Sequence, residues 1–207
     1  MDTASDVTPT AGRRSAADRS AWLLSELFAP WVIVLVLPLL ASWRATHDVA
    51  AALGWGLLIA LTSSILPMGV VVWGARTGRW DGHHVRNRAG RLVPFLALIA
   101  MSLVGLGLLV ALRAPWLLVA LDVSMITALL VTGGITTRWK ISMHAAVAAG
   151  AVAALVVLHG AESWLLLVLV IAICWSRVRL GDHTTAQVTA GAVTGLVFGG
   201  PFFAALT

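Results

Sequence analysis

Charge is scarce in this chain. Of 207 residues, 11% are Asp, Glu, Lys or Arg, 59% are hydrophobic, and the mean hydropathy is +0.94. A soluble domain carries about 25% charged residues. So few polar groups cannot cover a globular surface, so the composition predicts an integral membrane protein. Cysteine is nearly absent: Cys174 stands alone inside an apolar run, which excludes an internal disulfide. Lysine is equally rare, Lys140 being the only one among 14 basic residues. The net charge of +5 comes without any Lys/Arg tract interleaved with aromatics outside the loops. It therefore suits anionic headgroups and gives no reason to expect nucleic acid as a partner. Residues 1–20 are polar and lack the pattern of a signal peptide, so a disordered tail is expected there, followed by a single integral-membrane domain over 21–207.

Apolar runs are present at roughly 27–45, 51–74, 92–112, 115–136, 142–159, 163–176 and 186–206. Each approaches the roughly 20 residues an α-helix needs to cross the hydrocarbon core. Uninterrupted runs favour helices over a barrel. The expected fold is an all-α helical bundle of seven spans, or six if the first lies along the surface. Pro30, Pro38 and Pro67 are candidate kinks in the first two. Small residues from Ala145 to Ala151, and Gly191 with Gly195, allow the fifth and last spans to pack closely.

The loops alternate in character. Those after the second, fourth and sixth spans carry Arg76, Arg79, Arg86, Arg88 and Arg91, then Arg138 and Lys140, then Arg177 and Arg179. Two spans separate each from the next, so all three share one face. The positive-inside rule would place that face in the cytosol with Arg13, Arg14 and Arg19. In the first loop Arg88 and Arg91 are one helical turn apart, which suits either anionic lipid or a ligand. His83 and His84 form an isolated pair, a weak metal signal. In the second loop Ser142 and His144 open a helix whose unpaired N–H groups favour an anion. The third supplies Ser176, Arg177, Asp182 and His183, with Gln187 one turn beyond. Asp122, within the fourth span, is either a helix–helix partner or part of a polar path.

Two histidines, several arginines, a lysine and two serines on one membrane face are what phosphoryl transfer from a lipid phosphate requires. Guanidinium groups bind phosphate oxygens, one histidine attacks phosphorus, and another protonates the leaving alcohol. Ser176-Arg177, five residues, then His183 resembles the third motif of the membrane-bound type 2 phosphatidic acid phosphatases, which share their site architecture with vanadium haloperoxidases. Ser142 and His144 match two residues of the second motif, with Ile141 and Met143 in place of its proline and glycine. Arg88, Arg91 and Pro94 look like a divergent first motif, and Lys140 offers a cation from another loop. The resemblance covers about residues 79–200.

The resemblance implies a metal-independent, cofactor-free hydrolase of the plasma membrane of a bacterium. His183 would be the nucleophile and His144 the general acid. Arg177, Ser142, Ser176, Arg88, Arg91 and Lys140 would hold phosphate. Gln187 stands where the family has an aspartate that orients the nucleophile. An amide oxygen fixes the tautomer without adding charge. The alternative is a catalytically silent lipid-phosphate binder. An intramembrane prenyltransferase is disfavoured, because Asp81 and Asp182 are isolated acids in these loops.

Overall fold

The computed structural model describes residues 15–78 and 92–207, and every element among them is helical. The helices are α1 (Ala16–Leu27), α2 (Pro30–Thr46), α3 (Val49–Arg76), α4 (Leu92–Ala111), α5 (Trp116–Thr136), α6 (Met143–His159), α7 (Ala161–Arg179) and α8 (Thr185–Leu206). By length and composition α3, α5, α7 and α8 can each cross a membrane. The pair α1 and α2, bent by 46°, could form a fifth crossing, while α6 and the apolar part of α4 are shorter. The molecule is thus an all-α bundle with the character of a multi-pass membrane protein.

The expected apolar runs correspond to α2 through α8, but α1 was not expected. Its residues 16–20 fall in the stretch read as a disordered tail. Ser15 caps this helix: its hydroxyl accepts from the Asp18 N–H at 3.1 Å, and Asp18 accepts in return from the Ser15 N–H at 3.1 Å. This capping box satisfies donors that would otherwise fray the first turn. Ala21 and Ser25 face inward, and Leu23 and Leu27 face out.

The prolines act differently from one another. Pro30 occupies the first turn of α2, where its missing N–H costs nothing, so it starts that helix. Pro38 lies buried inside α2. Pro67 follows a π-helical turn, Leu61–Ile65, in α3, and Pro201 sits within another, Phe198–Phe202, in α8. A proline cannot bond the carbonyl four residues back and crowds it; widening the helix relieves that clash.

The alanines of α6 face inward, and many large apolar residues of other helices face outward. Ala145, Ala149, Ala153 and Ala154 of α6 are buried, whereas Leu53 and Leu57 of α3, Leu103 and Val104 of α4, and Val168 and Ile171 of α7 face outward. Alanines along the buried face of α6 and large apolar side chains on the outer surface suit a lipid surround, where close backbone approach aids packing. The tightest contact joins α6 to α8. A Cβ on Gly195 would fall 2.0 Å from the Ala146 carbonyl oxygen, and one on Gly191 2.5 Å from that of Ser142. The expectation of close packing through these small residues therefore holds, and it fixes the start of α6 against the start of α8.

Candidate functional site

A cavity of about 1160 Å³ opens among α1 to α6, α8 and the turn between α7 and α8. One end is polar, lined by Lys140, His144, Arg177, Arg179, Asp182 and His183. The walls beyond are apolar, including Ile33, Leu37, Phe95, Leu98, Met125 and Leu129.

The polar end is built by helix termini. At the end of α7 the Arg177 carbonyl accepts from the N–H groups of Asp182 (3.1 Å) and His183 (3.2 Å), and Gly181 takes φ +70° to turn the chain. A left-handed residue after the last helical turn is the usual helix stop, and glycine adopts it without a Cβ clash. Thr184 then caps α8: its hydroxyl accepts from the Gln187 N–H at 3.3 Å, and Gln187 Oε1 accepts from the Thr184 N–H at 3.1 Å. The Ser142 N–H donates to the Gln187 carbonyl at 3.2 Å, which ties the second loop to α8. Lys140 Nζ donates to the Asp182 carbonyl.

Arg177 is 6% exposed and doubly engaged. Its Nη2 pairs with Asp182 Oδ2 at 2.8 Å, and its Nη1 donates to the Ser25 hydroxyl of α1. Arg179, more exposed, pairs with Asp18 at 2.8 Å. The N-terminal helix thus meets the polar end through two arginines of α7. Burial pushes the His183 imidazole down to about 4, aided by the nearby charges of Lys140 and Arg177 and opposed by Gln187 and Asp182. Its Nδ1 is buried and has no hydrogen-bond partner among the described residues. The Gln187 side-chain oxygen serves the helix cap.

Of the residues singled out in the sequence, Lys140, His144, Arg177 and His183 share the cavity's polar end. Ser142 is fully buried as the N-cap of α6, accepting from the Ala145 N–H at 3.4 Å, and is not among the lining residues. Ser176 is also fully buried; it donates to the Ile173 carbonyl at 2.8 Å and does not line the cavity. Arg88 and Arg91 lie outside the described residues. Sequence reasoning missed α1, whose Asp18, Trp22, Ser25 and Glu26 line the cavity. The available signal was the Ser-x-x-Asp pattern at Ser15 and Asp18. No family model, curated protein or solved structure matches the chain.

Proposed function

We propose that the chain is a multi-pass phosphatase of a bacterial plasma membrane that hydrolyses a lipid phosphate, either a polyprenyl or glycerolipid phosphate or diphosphate. In this reading α2 to α8 are seven crossings and α1 lies along the interface. The observation that carries it is that His144, Arg177, Lys140 and His183 line one cavity whose other walls are largely apolar. That lining suits an amphiphile with an anionic head. The resemblance of the Ser176–Gly195 stretch to type 2 phosphatidic acid phosphatases supports the same reading.

The chemistry follows from charge state. His183, held neutral at physiological pH, keeps a lone pair for attack. An imidazole nitrogen bonds to phosphorus, the bond from phosphorus to the leaving oxygen breaks, and His144 protonates the departing alcohol or, for a diphosphate, the departing lipid monophosphate. Water then attacks the phosphohistidine, releasing inorganic phosphate and restoring His183. Arg177 and Lys140 offset the charge that builds on the phosphoryl oxygens.

The test is phosphate release by the detergent-purified protein from a panel of polyprenyl and glycerolipid phosphates, with and without chelator, beside His183→Ala. Chelator-resistant release that disappears in the variant is expected. Full activity in His183→Ala would reject the mechanism. A second reading, a silent lipid-phosphate binder, is favoured by two observations: Asp182 and Ser25 already occupy Arg177, and Gln187 serves a helix cap. Lipid-phosphate binding without release by the wild type, with turnover appearing in Gln187→Asp, would establish that reading instead.

A further inference from the structure

The two serines expected to hold phosphate are engaged by the backbone. Ser142 caps α6 and Ser176 donates to the Ile173 carbonyl, and neither lines the cavity. A different serine does. Ser25 of α1 is 1% exposed, lines the cavity, and its Oγ accepts from Arg177 Nη1. A hydroxyl has one hydrogen to donate and two lone pairs to accept with. The Arg177 contact uses a lone pair, and the hydroxyl hydrogen of Ser25 meets no acceptor among the described residues. Other hydroxyls within these helices behave differently. Thr62, Thr127, Thr132 and Thr136 each donate to a carbonyl about one turn back, at 2.7–3.2 Å.

The position of Ser25 follows from how α1 docks. Asp18, Ala21 and Ser25 recur at helical spacing along one side of α1, and Ala21 is fully buried. Asp18 pairs with Arg179 at 2.8 Å, two residues beyond Arg177 on α7. The two helices are thereby joined at both arginines. The Ser25 hydroxyl stands beside a guanidinium that lines the cavity with Lys140, His144 and His183. Packing alone would be met by an alanine, as it is at Ala21 one turn earlier. A buried donor without an acceptor is unfavourable unless something else supplies one. The bond from Arg177 also polarises the hydroxyl, which strengthens its own donation.

We propose that Ser25 is a phosphate-binding residue: its O–H donates to an oxygen of the phosphoryl group while its Oγ accepts from Arg177. Arg177 and Ser25 then form one two-point contact, contributed by α7 and α1. The arginine supplies charge, and the serine supplies a directed donor. Ser25 takes the part that Ser142 and Ser176 cannot play. The assignment rests on the lipid-phosphate reading of the cavity, and it falls on a residue outside the stretch that resembles the phosphatases.

The experiment measures binding to the full chain in detergent, by ligand-induced thermal stabilisation. The ligands are an alkyl phosphonate, in which carbon replaces the ester oxygen so that no turnover intervenes, and the alcohol of the same chain length. Wild type should bind the phosphonate more tightly than the alcohol. Ser25→Ala should weaken phosphonate binding about tenfold and leave the alcohol unchanged, and Ser25→Thr should restore the difference. If Ser25→Ala does not fold, Ser25→Cys decides: close in size and a weak donor, it should lose most of the gain. The loss should persist when Arg177 is also replaced by lysine. A loss that vanishes in the Arg177→Lys background makes Ser25 a support for the guanidinium and overturns the contact. Equal phosphonate affinity in wild type, Ser25→Ala and Ser25→Cys overturns it too, with the phosphate reading intact. No advantage of phosphonate over alcohol in wild type removes both.

Discussion

His183 carries a charge-state argument testable without any substrate. Its ordinary value of 6.5 falls to about 4 in the folded protein, because burial and two nearby cations disfavour the imidazolium. Between those values the unfolded chain binds a proton that the folded chain does not. Stability therefore falls as pH drops from about 6.5 to about 4, and this contribution is flat above that window. Thermal melts over that range should show a steeper loss in wild type than in His183→Gln; parallel curves would reject the shift. The same shift predicts turnover that holds down through pH 5 and fails near 4, provided the ring nitrogen attacks.

At the scale of elements, the site depends on how α6, α7 and α8 end and cross. Gly181, at φ +70°, has no neighbour within 4 Å of a built Cβ, so its substitution meets backbone strain alone. Gly181→Ala should cost about 1 kcal/mol and lower activity more than stability, since it displaces His183. Phosphate-release rates beside melting temperatures would check this. Gly195→Ala acts differently. Its methyl would lie 2.0 Å from the Ala146 carbonyl oxygen and 2.7 Å from the Gly150 N, both backbone atoms that cannot rotate away. The helices must separate, at a cost of about 1–3 kcal/mol or more. Unchanged melting in Gly195→Ala would contradict the close crossing. Because the crossing ties Ser142 to Gly191, it also sets where His144 stands relative to His183.

Over the whole molecule, the exposed large apolar side chains predict which surface meets lipid. Ile171, 67% exposed near the middle of α7, faces outward. Ile171→Arg should reduce membrane-integrated protein sharply, since an arginine at a helix centre costs about 2.5–3.5 kcal/mol on insertion scales. A fully inserted, normally melting variant would show that this face does not meet the hydrocarbon. Exposed tryptophans fall near both ends of the bundle: Trp43, Trp116 and Trp164 toward one, and Trp73, Trp139 and Trp175 toward the other. This is the placement expected of interfacial anchors.

The helices were legible in the sequence because hydropathy alone sets them: α2 to α8 fall where the apolar runs fall. The histidines and Arg177 were legible too, since polar residues at the ends of apolar runs are few. Much of the rest was decided by tertiary contacts. Ser142 and Ser176 have the right side chains for phosphate, but nearby backbone groups claim their hydroxyls. Gln187 occupies the orienting position in sequence, yet its oxygen closes the cap of α8. Residues 16–20 looked like the end of a tail; as the start of α1, with Asp18 paired to Arg179, they form part of the wall of the site. Local hydrogen-bond competition and long-range ion pairs leave no periodic trace in a sequence. Burial against lipid does, and so the sequence by itself determined the elements and their order, while the tertiary structure decided which polar atoms remain to meet a ligand.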